Sequence, residues 1–294
     1  MMPYSRFSPH WVCAAAVCLL MVFLAACQPG LPTATPPPGE PPTLAPTGAP
    51  TLTASRSASP EPERTVTATA TPEPGPPPDL SRLPISFPIM NAEMAAYFNQ
   101  IARPDDAALL PVAQLRWLPH IKAGTVKAGF PSWSQAESRL PELAGKIAVV
   151  SYNPEHWEQT PAEEQANLPD TVQRAQEVAH QYDLQFMVAP DRRFARDYLR
   201  QIAPAADLIA LQGQRIQQDP EAFEAWASAL IAIAREANPQ VKVFVQVGAN
   251  RGTAEEMLAA IQTIGGEIDG ISIWVNPTSL ETLKAFVALI RPEG

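Results

Sequence analysis

From residue 83 onward, short apolar runs alternate with amphipathic stretches. The apolar runs Ile85–Met90, Thr125–Phe130, Lys146–Tyr152, Leu184–Pro190, Asp207–Gln212, Val241–Val247 and Gly270–Val275 predict strands. Several are rich in Val and Ile and apolar on both faces, which marks buried parallel strands rather than half-exposed antiparallel ones. The stretches between them carry helix signals. Asp219-Pro220-Glu221 places a cap before a first-turn proline, and Thr253-x-x-Glu256 and Thr278-x-x-Glu281 read as capping boxes. The longest predicted helix, 220–237, sets Phe223, Trp226, Ala227, Leu230, Ala234 and Ala237 on one stripe. Asn238-Pro239 and Gly265-Gly266 are stop signals.

Strand and helix in strict alternation imply an α/β domain with right-handed crossovers. No glycine-rich phosphate loop follows the first strand, so a (β/α) barrel of the TIM type is favoured over a dinucleotide-binding sheet. Seven strands are one short of eight. Either a strand hides in 91–123, near Leu115–Ile121, or the barrel is incomplete; a doubly wound open sheet is the alternative.

The pattern before residue 83 is different. Residues 11–26, Trp11 through Ala26, form 16 residues without a charge, preceded by a short polar start containing Arg6. A stable span needs about 20 such residues, so this run suits the apolar core of a signal segment. It ends in Leu24-Ala25-Ala26-Cys27. That stretch resembles the lipobox of bacterial lipoproteins, which implies removal of 1–26 and acylation of Cys27 as the new amino terminus. An uncleaved anchor, or ordinary signal cleavage, is the plainer alternative. Two or three acyl chains hold a protein stably on a bilayer. Gln28 stands where some envelope lipoproteins carry an inner-membrane retention aspartate, which leans the expectation toward the outer surface.

Residues 28–82 hold 16 of the 34 prolines, ten threonines and no aromatic residue. Such a segment buries too little apolar surface to offset its ordering entropy. The expected organisation is therefore a signal peptide at 1–26, a lipidated Cys27 with a Pro/Thr-rich disordered linker at 27–82, and one barrel-like domain at 83–294.

Charge and cysteine content narrow the partners. The domain from residue 83 carries 17 basic against 25 acidic side chains, and no basic run. That removes the electrostatic footprint of a nucleic-acid binder. It also removes a polybasic patch for anionic lipid. All three cysteines lie at or before Cys27, so the domain has no thiolate metal site, disulfide or cysteine nucleophile. His120, His156 and His180 lack metal-ligand spacing, and neither a metal nor a cofactor is expected. Ser132-Trp133-Ser134 lacks the glycines of a nucleophile elbow and reads as a helix start.

In either α/β layout, ligand-facing residues come from the carboxyl ends of the strands. Those ends deliver Asn153-Pro154-Glu155-His156-Trp157, Asp191-Arg192-Arg193, Gln212, Gln246, and Trp274 with Asn276. Glu155, His156 and Trp157 offer a proton donor, a hydrogen-bonding partner and a stacking platform. The plain alternative is a loop with Trp157 packed down and Glu155 solvated. Asp191 opens a helix and doubles as an N-cap, with Arg192 and Arg193 pairing at the surface. Gln212 and Gln246 are either bonded to backbone or aimed at a ligand.

This rim resembles those of secreted glycosidase-type barrels. The resemblance implies carbohydrate as ligand, Glu155 as general acid and Asp191 as base or nucleophile. It further implies Asn153, His156, Gln212, Gln246 and Asn276 bonding sugar hydroxyls, and Trp157 or Trp274 stacking on a ring. A glycosidase ordinarily uses two carboxyls, and the sixth and seventh strands deliver amides where the second is common. Enzyme, glycan-binding barrel and structural envelope lipoprotein therefore remain three separate readings.

Overall fold

The computed structural model describes residues 78–292. The expected signal segment, Cys27 and the expected linker up to residue 77 lie outside them. Eight parallel strands close into a barrel in sequence order. They are β1 (Ile85–Pro88), β2 (Ala107–Pro111), β3 (Thr125–Phe130), β4 (Val149–Tyr152), β5 (Gln185–Val188), β6 (Leu208–Gln212), β7 (Lys242–Gly248) and β8 (Gly270–Trp274). β1 pairs with both β2 and β8, which closes the ring and removes the open sheet as an arrangement.

The seven sequence-predicted strands are all present. The eighth is β2, and it is not where the apolar run near Leu115–Ile121 suggested. That run is a 3-10 helix, Val112–His120, interrupted by Pro119, and none of its residues is fully buried. Pro119 has no N–H for a ladder, which disfavours a central strand there. The real strand, Ala107-Ala-Leu-Leu-Pro111, is buried over its first four residues.

The helices are α1 (Ala92–Ile101), α2 (Trp133–Leu143), α3 (Ala162–Ala166), α4 (Leu168–Gln181), α5 (Arg192–Ile202), α6 (Pro220–Ala237), α7 (Ala254–Ile264) and α8 (Leu280–Ile290). Capping explains most of the starts. Asn91, Ser132, Asp191 and Asp219 accept backbone N–H groups at their helices, and Thr253 with Glu256 forms a true capping box. The second expected box fails. Asn276, not Thr278, accepts N–H groups there, from Thr278 and Ser279, and α8 begins without a side-chain cap. Among the described residues no helix is long and apolar enough to cross a membrane.

Residues alternate along every strand between two apolar environments. The outward set, including Phe87, Val150, Phe186, Val245 and Ile273, packs against the helices in the main core. The inward set, including Val149, Met187, Leu208, Ala210 and Phe244, forms a separate cluster inside the ring. Leu80, in the 3-10 turn Leu80–Arg82, also belongs to the main core.

The amino ends of the strands are pinned by three aspartates. Asp106, Asp207 and Asp269, just ahead of β2, β6 and β8, accept the N–H groups of Ile85, Phe186 and Val243 at 2.8, 2.7 and 2.8 Å. Asp106 is further held by Arg291 through two bonds of 2.7 Å. Asp207 and Asp269 thus serve the face opposite the ligand-facing rim, as their position before the strands predicts.

Candidate active site at the carboxyl rim of the barrel

The loop after β4 is the most constructed part of the rim. Thr160, which is buried, organises it. Its hydroxyl donates to Pro131 O at 2.8 Å and accepts from Glu155 N and from Trp157 Nε1, each at 3.1 Å. Gln165 Nε2 donates to Trp157 O and Thr160 O. Below the loop, Glu164 is buried and accepts from Ser132 Oγ, Trp133 N, Ser134 N and Tyr152 OH at 2.9–3.0 Å. Burial and then the charge of Glu164 hold the Tyr152 phenol far above its ordinary value. The Thr160-Pro161-x-x-Glu164-Gln165 segment is therefore a brace that fixes Glu155 and Trp157 on the end of β4.

Glu155 stands on that brace with its carboxyl half buried. Burial pushes it above the ordinary glutamate range. The hydrogen bond from Gln212 opposes the shift, the negative charge of Asp191 reinforces it, and Arg215 again opposes it. Gln212 Nε2 lies 3.4 Å from Glu155 Oε1 and donates to Ala189 O at 3.0 Å. Trp157 is 41% exposed, one of two large apolar side chains so exposed among the described residues. With its indole N–H tied to Thr160, it presents a fixed face to solvent rather than packing down.

Asp191 is fully engaged. Oδ1 accepts from Arg193 N and Phe194 N, capping α5, and Oδ2 accepts from His156 N and His156 Nδ1. A carboxylate has about four acceptor sites, and all are taken. Burial raises the Asp191 carboxyl, but the hydrogen bonds from Phe194 and His156 outweigh it and hold the group below its ordinary value. Its work is to cap α5 and to orient His156, whose ring stacks on Phe194 at 3.8 Å. Arg192 and Arg193 form no ion pair among the described residues; the Arg192 guanidinium lies 5.6 Å over the Trp226 ring.

The other expected residues divide. Asn153 accepts from Ser151 Oγ at 2.7 Å, and Gln246 Nε2 lies 3.4 Å from Ser272 Oγ. Both are partly exposed on the inner face, as is Trp274. Asn276 Oδ1 caps the turn Pro277–Ser279, accepting from Thr278 N and Ser279 N, and the residue is partly exposed. Among the described residues no three His, Asp or Glu side chains are grouped to hold a metal.

No family model matches the chain, and no curated protein matches it. Solved structures similar to it include a chitinase from Chromobacterium violaceum ATCC 12472, at 13% identity and TM-score 0.49, over 71% of this chain and 98% of that one. A HpcH/Hpal aldolase/citrate lyase family protein from Burkholderia cenocepacia J2315 aligns at 11% identity and TM-score 0.46, over 73% and 96%. The truncated form of 3-deoxy-D-arabino-heptulosonate 7-phosphate synthase from Thermotoga maritima aligns at 18% identity and TM-score 0.37, over 55% of this chain. The chain spans 60% of that synthase. The likeness is one of fold.

One inner residue escaped the sequence reading. Lys127, in the middle of β3, points into the barrel, and its Nζ sits 4.2 Å over the ring of Phe244 from β7. In barrels of this kind alternate strands contribute four side chains to each inner tier. Following the strand pairing around the ring, Ser86, Lys127, Met187 and Phe244 form one such tier. The tier above it holds Leu109, Ser151, Ala210 and Ser272, and small residues Gly129 and Ala189 follow. Lys127 Nζ has no hydrogen-bond partner. Burial lowers its pKa from 10.5 to about 8. The available signal was a charged residue inside a strand otherwise apolar on both faces.

Proposed function

We propose that the protein is a lipid-anchored, extracytoplasmic barrel that acts on carbohydrate, with Glu155 as its general acid. The observation that carries the reading is the state of Glu155. It is the one rim carboxyl of those considered that is both available to a ligand and pushed by burial toward its protonated form. A proton donor at neutral pH needs that shift. Trp157 supplies an exposed aromatic face beside it, and the amides of Asn153, Gln212 and Gln246 supply donors and acceptors suited to sugar hydroxyls. The anchor and the compartment rest on Leu24-Ala25-Ala26-Cys27 and the proline-rich segment after it.

In this reading Asp191 serves His156 rather than acting as the second catalytic carboxyl. Glu155 would protonate the departing glycosidic oxygen. His156, held through Nδ1 by Asp191, is the second group positioned for proton transfer. An aspartate that fixes an imidazole tautomer in this way is a recurrent device for a base.

Hydrolysis of a panel of aryl glycosides and envelope glycans, with Glu155→Gln beside the native chain, tests this reading. The expected result is turnover that falls about 10²–10⁴-fold in the variant, with glycan binding retained. Equal turnover in the two proteins overturns it. Trp157-dependent binding without any turnover by the native chain replaces it with a glycan-binding barrel.

A further inference from the structure

The lumen beneath the rim contains a second, independent reactive group. Several inward-facing side chains keep a small residual exposure. Lys127 is 4% exposed, Phe244 5%, Ser272 6% and Leu109 8%, against 0% for Phe87, Val150, Val245 and Ile273. The amine itself lies against Phe244, enclosed and without a partner.

A buried ammonium is retained in folded proteins when a carboxylate or several acceptors surround it. Here its tier offers Ser86, Met187 and Phe244, and the tier above offers Leu109, Ser151, Ala210 and Ser272, none of them ionisable. We propose that Lys127 is an imine-forming amine that captures a small aldehyde or ketone, such as an open-chain sugar, inside the barrel. The lone pair of Nζ adds to the carbonyl carbon. The C–O π pair moves to oxygen, which takes one proton from nitrogen to give a carbinolamine. The nitrogen pair then expels the hydroxyl, which leaves as water with the second N–H proton. One amine and one carbonyl become one imine and one water, with no change of oxidation state. A neutral, desolvated lysine is the form this addition needs, and a pKa lowered to about 8 supplies it near neutrality. The serine hydroxyls of the lumen are matched to a polyhydroxylated carbonyl compound. The inference rests on the lumen and does not depend on Glu155.

Glycolaldehyde, D-glyceraldehyde and pyruvate, each supplied with sodium cyanoborohydride to the full-length chain at neutral pH, test it by peptide mass mapping. With at least one probe, reduced adduct should form on Lys127 about tenfold or more faster than on the exposed Lys122 or on Lys146. Lys127→Met should abolish that adduct while leaving the others, and Glu155→Gln should leave it in place. Labelling of Lys127 no faster than Lys122 with all three probes, or labelling only after denaturation, overturns the proposal. The native chain alone decides between these outcomes, so the test survives a variant that folds poorly.

Discussion

Gln212 Nε2 at the end of β6 lies 3.4 Å from Glu155 Oε1 at the end of β4, and the same amide is anchored on Ala189 O after β5. Three adjacent strand ends thus meet at one carboxyl. The contact opposes part of the burial effect but does not cancel it, so the Glu155 carboxyl stays raised. The sign for stability follows. A carboxyl whose folded pKa is raised favours folding below its unfolded value, and that contribution is lost as pH rises through the folded value. Glu155→Gln should therefore have a higher Tm than the native chain at pH 7. The two should converge in acid, below the ordinary glutamate pKa. Calorimetry across that range checks it; a lower Tm for the variant at pH 7 contradicts the account.

Lys127 gives a second stability prediction with its own pH window. Its folded pKa of about 8 against 10.5 disfavours the charged form in the fold by roughly 3 kcal/mol below pH 8. The penalty is complete at pH 7 and fades as pH climbs from about 8 to 10.5. Lys127→Met, similar in shape and apolar, should stabilise the chain by roughly 3 kcal/mol at pH 7 and by little above pH 10.5. Urea unfolding at the two pH values measures the difference. A variant less stable than the native chain at pH 7 would show that the Phe244 contact more than offsets the burial.

The opposite face predicts a loss. Arg291 meets Asp106 through two bonds of 2.7 Å, with side-chain exposures of 7% and 0%. Arg291→Ala strands a buried carboxylate and should cost about 3–5 kcal/mol. Because Asp106 lies at the amino ends of the strands, turnover per folded molecule should not change. Denaturant titration and activity normalised to folded fraction check the two halves separately.

His156 should separate positioning from capping. Asp191→Asn keeps an N-cap for α5 but cannot accept from His156 Nδ1 and the three backbone N–H groups as the carboxylate does. Stability should fall by no more than about 1 kcal/mol, while proton transfer through His156 falls, seen as a lower kcat with the fold intact. Parallel losses of stability and activity would reduce Asp191 to a cap.

Much of this architecture is legible in the residues themselves. Val- and Ile-rich runs such as Val241–Val247 announce buried parallel strands, and Asp219-Pro220 and Thr253-x-x-Glu256 mark helix starts by local chemistry alone. β2 escaped because Ala107-Ala-Leu-Leu has no β-branched residue and suits a helix equally well. The run near Leu115–Ile121 looked more strand-like, but proline and partial burial made it a 3-10 helix. At the site, the Asn153–Trp157 loop was visible as a cluster. Its brace was not, because Thr160, Glu164 and Gln165 look like ordinary polar helix-entry residues until the fold brings Pro131, Ser132 and Tyr152 to them. Asp191 shows the same limit in reverse: its place before α5 marks it as a cap, but the His156 groups it also accepts from come from a loop 35 residues away in sequence.

The proton inventory of Glu155 tests the account most directly. Carbon-detected NMR of glutamate-labelled protein, with Glu155→Gln to assign the resonance, follows that carboxyl through its titration. The account predicts a midpoint above the ordinary glutamate range. A midpoint at or below that range would mean a plain solvated carboxylate and would remove the general acid on which the functional reading stands.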